Sequence, residues 1–184
     1  SLGLRRPRFN AADFDRLKTK VLSFTCRKSP TREGDSNQNP FAVTINPRTI
    51  PLPGSRLAAC LNRRILHDQI VPVLHAQKMS RPIFWTSLPT ALPAVGTLNE
   101  HALVYYAGVD FGALAGINHQ PVLKMERQLA EKSQLIIAAS PLIAERFPPQ
   151  KTKVLPHGVD YDMFANPVPR AADMPTGKPI AGFY

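Results

Sequence analysis

Two short loops hold the residues best placed to do chemistry. GVDFGALAGINH, residues 108–119, carries three glycines, one carboxylate and one imidazole. Gly108, Gly112 and Gly116 permit close backbone approach and movement. Asp110 follows an apolar run directly, so a strand there aims its carboxylate into a cleft, where it can accept a proton from a hydroxyl. The same aspartate can instead do no more than close its own turn. His119 can contact a phosphate on a substrate, or simply begin the next helix. The second loop is LPHGVDYDMF, residues 155–164. There Gly158 permits a positive φ and a sharp exit from a strand. Asp160 can cap the following turn and Phe164 can anchor it in the core. His157 is left at the strand tip, facing any cleft between domains.

Several other chemistries have no footing. No GxGxxG and no GxxxxGK[ST] occurs, so neither a dinucleotide fingerprint nor a P-loop is indicated. GxSxG and HExxH are also missing. The two cysteines, Cys26 and Cys60, form no CxxC pair and no metal spacing. No metal site is expected, and a reduced cytosolic protein is the default.

The elements that must position these loops alternate in type. Asn10 or Asp13 can cap a short helix to about Val21. Residues 27–40 are polar and turn-rich, and FAVTINPRTIPLP reads as one or two extended pieces broken at Pro47. Ser55 opens a long helical pattern with Leu57, Leu61, Ile65 and Leu66 on one face, and Pro72 should kink or split it. Apolar strands follow at about Pro82–Thr86, in HALVYYAG, in QLIIAAS and in TKVLP. Between them lie a short helical turn over Leu88–Val95, a helix over Gln120–Ser133, and PLIAERF opened by Ser140 as cap and Pro141 in its first turn. YDMF is one more turn, and PIAGFY starts a further strand. Apolar strands without period-2 alternation, separated by helices, predict an α/β fold: a Rossmann-like parallel sheet flanked by helices and covered on both faces. Trp85, Tyr105 and Tyr106 lie within such strands and read as core. Ligands of such sheets gather at the carboxyl ends of the strands, where both loops fall.

Charge narrows the partners. The chain has 184 residues and a formal net charge of +10. Residues 1–64 hold 13 Lys and Arg against 4 Asp and Glu, a net of +9, so the excess belongs to the first third. Arg5, Arg6, Arg8, Lys18 and Lys20 fit attachment to an anionic membrane or a phosphate-bearing substrate. A nucleic-acid-binding module is the rival, but the segment lacks an aromatic-interleaved basic stretch or a recognised motif, so no nucleic acid is expected as a partner. No apolar run reaches the length of a membrane span, and no signal peptide opens the chain. The opening SLGLRRPRFN lacks an initiator Met, which reads as a fragment.

One stretch carries a family resemblance. SQLIIAASPLIAERFPPQKTKVLPHGVDYDMF resembles the end of the N-terminal domain in group 1 (family 4 type) glycosyltransferases. The matching positions are Val154, Pro156, His157, Gly158, Val159, Asp160 and Phe164. GKPIAGFY is similar to the first strand of that family's C-terminal domain. RPIFWTSLPTA and LVYYAGVDFGALAG resemble strands of bacterial exopolysaccharide enzymes of this type, including a membrane-associated glucuronosyltransferase branch. The resemblance covers about 50 to 184 and, more weakly, the first 20 residues.

The resemblance implies a GT-B architecture: two Rossmann-like domains with the active site between them. Residues 1–177 would be the acceptor-side domain without its first βα unit, and 178–184 the start of the donor-binding domain. It implies transfer of a sugar from a nucleotide sugar to a lipid-linked or polysaccharide acceptor in cell-surface biosynthesis, without a metal or other cofactor. Asp110 matches the loop aspartate that serves as base in the glucuronosyltransferase branch. Gly108, Gly112, His119, His157 and Gly158 would line the acceptor cleft. The expected location is cytoplasmic, peripheral at the inner face of a bacterial plasma membrane. Since the glycine-rich donor loop and the paired glutamates of the second half are missing, negligible transfer by this chain alone is expected. The alternative is a non-catalytic interaction domain or a basic binding domain.

Overall fold

The computed structural model describes residues 42–52 and 54–166, with three isolated positions at 169, 174 and 177. The helix expected from Asn10 or Asp13, the basic residues Arg5, Arg6, Arg8, Lys18 and Lys20, the loop at 27–40 and the strand expected at 179–184 lie outside the described residues.

Four parallel strands form one sheet: β1 (Ile83–Thr86), β2 (Ala102–Ala107), β3 (Leu135–Ala138) and β4 (Thr152–Val154). Their spatial order is β1-β2-β3-β4, each strand pairing with the next in sequence. The helices are α1 (Arg56–Ala76), α2 (His119–Lys132), α3 (Pro141–Ala144) and α4 (Tyr161–Ala165). A 3₁₀ turn at Pro89–Ala94 connects β1 to β2. The chain is thus an α/β protein with an all-parallel sheet, as its alternating apolar segments imply.

Local chemistry sets the element boundaries. Ser55 Oγ accepts from Ala58 N at the start of α1, and Ser140 Oγ accepts from Ile143 N at the start of α3. Asp160 Oδ1 accepts from Met163 N and begins α4. At the far end of α2, the Lys151 ammonium donates to the carbonyls of Ala130, Glu131 and Ser133 at 2.6, 3.0 and 3.1 Å. A cation there satisfies carbonyls that the helix leaves unpaired.

The core follows the pleat of the strands. Leu103, Tyr105 and Ala107 of β2 and Ile136 of β3 point to one face, where Leu129 and Ala130 of α2 cover them. Phe84, Leu92, Val95 and Ile143 pack against the same cluster. All three connections therefore load one face, as right-handed crossovers require when each strand sits beside its successor. On the other face Val104 and Ile137 are buried, but Ile83 and Trp85 are 63% and 54% exposed. Of the expected helical cover on both faces, the described residues show cover of one face, by the 3₁₀ turn, α2 and α3. Trp85 is not core, and Tyr106 is only half-buried; Tyr105 alone of the three is fully enclosed.

Three further expectations change. Helix α1 runs through Pro72 without splitting, because the partly buried Ile70, Val73 and Leu74 hold its last turns. Leu57 and Leu61 are 79% and 53% exposed rather than core. The inward side of α1 is instead Ala58 and Leu66, with Asn62 and Gln69 beside them. The two amides hold the 48–50 segment: Ile50 N donates to Asn62 Oδ1 at 2.7 Å and Arg48 N to Gln69 Oε1 at 2.8 Å. That segment forms no strand, since its backbone bonds go to side chains. Phe164 is 64% exposed and does not anchor α4 in a core.

Candidate functional site at the carboxyl ends of the strands

Asp110 stands three residues beyond β2, in a turn that its own side chain closes. Its Oδ1 accepts from Gly112 N at 2.8 Å. The same oxygen receives Nη1 of Arg146, which follows α3. Arg146 Nη2 reaches Glu126 Oε2 of α2 at 2.6 Å, and Glu126 Oε1 accepts from Tyr105 Oη of β2 at 2.8 Å. A continuous chain of hydrogen bonds thus runs from the core, through Glu126 and Arg146, to the loop carboxylate. Exposure rises along it, from 4% for the Glu126 side chain to 29% for Arg146 and 45% for Asp110. Asp110 Oδ2 carries no hydrogen bond among the described residues, so one oxygen is fixed and the other is left to accept, on a side chain 45% exposed.

The buried members are electrostatically displaced. Burial pushes the Glu126 carboxyl above its ordinary range. The Tyr105 hydroxyl and the Arg146 guanidinium pull against the rise, and the Asp110 charge adds to it. Burial, reinforced by the Glu126 charge, raises the Tyr105 phenol far above its ordinary value. Phe147 meets the Tyr105 ring edge-on, with centroids 5.8 Å apart, and closes the site on the core side.

A pH dependence follows. A carboxyl whose value is raised in the fold contributes stability while protonated, below its unfolded value near 4.5. That contribution is lost as pH rises through the raised value. Glu126→Gln keeps an acceptor for Arg146, turns its amide NH2 toward the Tyr105 oxygen, and cannot ionise. Denaturant unfolding at stepped pH should show the wild type losing stability against Glu126→Gln above pH 4.5. Parallel curves would contradict the raised carboxyl.

A second group lies on the other side of β2. The Tyr106 hydroxyl and His157 Nδ1 are 3.0 Å apart, and the two rings meet edge-on with centroids 6.0 Å apart. Tyr106 also stacks on Trp85, with centroids 6.3 Å apart and planes inclined by 29°. Gly108 sits under this ring, and a Cβ there would come 2.7 Å from Tyr106 Cε1. Gly108→Ala is therefore expected to displace Tyr106 and break its contact with His157. The test is the emission of Trp85, the single tryptophan, which should shift in the variant; an unchanged spectrum would refute the packing role.

The remaining expected site residues separate by function. Gly112 lies close under Asp110: a Cβ there would come 3.0 Å from Asp110 Oδ1, so the carboxylate would have to give by a few tenths of an ångström. Gly158 has open space around it and is not among the glycines of positive φ, so the expected left-handed exit from β4 is corrected. The turn leaves β4 in ordinary backbone geometry. His119 is the first residue of α2, and its Nδ1 lies 3.1 Å from Phe111 O, tying the loop to the helix. Asp110 and His157 thus belong to two groups, on the two sides of β2. No set of three or more His, Cys, Asp or Glu among the described residues could hold a metal ion.

Glu126 and Arg146 were not anticipated. Glu126 had a readable signal: it falls between Val122, Leu129 and Ala130 on the apolar face of α2, where a carboxylate needs a partner. Arg146 had none, because its partners lie 20 and 36 residues away in sequence.

A concavity at the end of β1 is mostly apolar, with Ile50, Leu52, Leu66, Ile70, Phe84 and Leu88 among its lining residues and a volume of about 240 Å³. No helix among the described residues is long and apolar enough to cross a membrane. No protein-family model, no curated protein and no solved structure matches this chain.

Proposed function

We propose that this chain is the acceptor-side part of a nucleotide-sugar-dependent glycosyltransferase of GT-B type, with Asp110 as its base. The observation that carries the reading is the state of the Asp110 carboxylate. One oxygen is anchored by Arg146 and Gly112 N, and the other has no hydrogen bond among the described residues, on a half-exposed side chain past the carboxyl end of a central strand. An acceptor hydroxyl at Oδ2 would give its proton to Asp110 as its oxygen attacks the anomeric carbon of the donor. The bond from that carbon to the nucleotide diphosphate breaks, and the electron pair leaves with the phosphate. Fixing the carboxylate in advance lowers the cost of reaching that geometry. If configuration is retained, the same carboxylate positions the acceptor instead. The ordered resemblance across strands and HGVD turn adds to the reading, and the apolar concavity beside β1 suits the hydrocarbon of a lipid-linked acceptor.

A second reading has its own observation. Asp110 closes its own turn and ties the loop after β2 to Arg146, behind α3, which is enough to explain an aspartate there without catalysis. Asp110→Asn in the enzyme containing this chain separates the two. Loss of radiolabelled sugar transfer at unchanged melting temperature supports the base; full transfer supports the purely structural role.

On this reading the protein works at an anionic inner-leaflet surface, with a nucleotide sugar and a lipid-linked or saccharide acceptor as partners. The basic excess of residues 1–64 supports that location.

A further inference from the structure

We propose that the outward side of α1, formed by Arg56, Leu57, Cys60, Leu61, Arg63 and Arg64, is the face that lies against an anionic lipid surface. The inference rests on the membrane location proposed above and assigns it to one helix.

A surface helix normally turns its leucines inward. Here the inward side is taken by Ala58 and Leu66, together with two amides bonded to the 48–50 segment. Leu57 and Leu61 are left 79% and 53% exposed, one turn apart. Cys60, also exposed, falls between them on the same side, and Arg64 follows one turn after Cys60 with its side chain 86% exposed. Arg56 and Arg63 are exposed and border this stripe on the Cys60 side. Asp68 is the one acidic residue of the helix; it lies on the same side two turns after Leu61, 3.7 Å from Arg64, so Arg56 and Arg63 carry the unopposed positive charge of the face.

Apolar side chains projecting between arginines match the layered chemistry of a bilayer surface. The leucines enter the acyl boundary while the guanidinium groups remain among the phosphates. Charge complementarity selects an anionic leaflet as the occupant. A second copy of this chain would carry the same positive stripe and be repelled by it. Nucleic acid would use the arginines but leave both leucines in water.

The test is co-sedimentation of the full chain with phosphatidylcholine vesicles with and without about one-third phosphatidylglycerol. The wild type should bind the anionic vesicles and release as salt rises. Leu57→Ser with Leu61→Ser should weaken binding about tenfold. Arg56→Gln, Arg63→Gln and Arg64→Gln together should weaken it on anionic vesicles by at least as much. All five side chains are exposed, so circular dichroism and melting should stay unchanged. Wild-type affinity in the folded leucine variant would overturn the assignment to α1 while leaving the membrane location intact. Failure of the wild type to bind would overturn both, and leaves the transferase reading to the Asp110 variant. Tighter binding to duplex DNA than to anionic vesicles at equal salt, unaffected by the leucine changes, would replace the lipid with nucleic acid. Conversion of a dimer to a monomer by the leucine changes, without vesicles, would replace it with a second copy.

Discussion

On the proposed transferase reading, Asp110→Asn is expected to lower kcat for sugar transfer by about 10²–10⁴-fold in an enzyme that contains this chain, the usual range for loss of a positioned base. KM for the acceptor changes little, because Asn presents the same shape to a bound hydroxyl. The substitution is mild for the fold. An amide oxygen still accepts from Gly112 N and from Arg146, and the side chain is half-exposed, so the lost ion pair is worth about 1 kcal/mol or less. The result is read from initial rates at saturating donor, with a melting curve of the same preparation. Activity within tenfold of wild type would remove Asp110 from the chemistry. A large fall in both rate and melting temperature would assign it to holding the loop. Arg146→Lys is the companion: a Lys keeps the charge but cannot bridge Asp110 and Glu126 as a fork.

Glu126→Ala has the largest expected effect on stability. The substitution leaves the Tyr105 hydroxyl, inside the core, without its acceptor and Arg146 without its buried partner. Removing one side of a buried, hydrogen-bonded charge pair costs about 3 kcal/mol, well above the cost of a surface change. For a unit of this size that lowers the melting temperature by about 10 °C. Tyr105→Phe removes only the hydroxyl and costs about 1–2 kcal/mol. The double variant should lose less than the sum, because the two share one hydrogen bond. A melting temperature within about 2 °C of wild type for Glu126→Ala would show that the link from core to loop contributes nothing.

What the residues disclose in sequence is what neighbours decide. Ser140 before Pro141 and Asp160 before Tyr161 mark helix starts because a cap bonds an amide three residues on. The strands are legible as apolar runs, and their parallel pairing follows from the helices between them. Which face each residue meets is a different matter. A continuous apolar run predicts burial on both sides, yet Trp85 is exposed and Tyr105 is sealed, because the 3₁₀ turn, α2 and α3 pack on the Tyr105 face. Leu57 and Leu61 mislead for a related reason. Two amides take the inward positions that periodicity assigns to leucine, to satisfy the backbone of residues 48–50. At the site, Asp110 was visible as a carboxylate just past a strand. Its anchor was not, since a pairing across 36 residues leaves no trace in local pattern.

The strand order has a bearing on how the chain acquires its fold. Ile83 is opposite Ala102, Val104 opposite Leu135, and Ile136 opposite Thr152, so the pairings span 19, 31 and 16 residues. None of the four described strands waits for a distant partner, and each loop closure between them is short. Such a sheet can be laid down one strand at a time as the chain leaves the ribosome, each new βα unit docking on a completed one. Sheets whose order doubles back must keep an apolar edge unpaired until a late strand arrives. Here the growing edge always faces the segment being synthesised next.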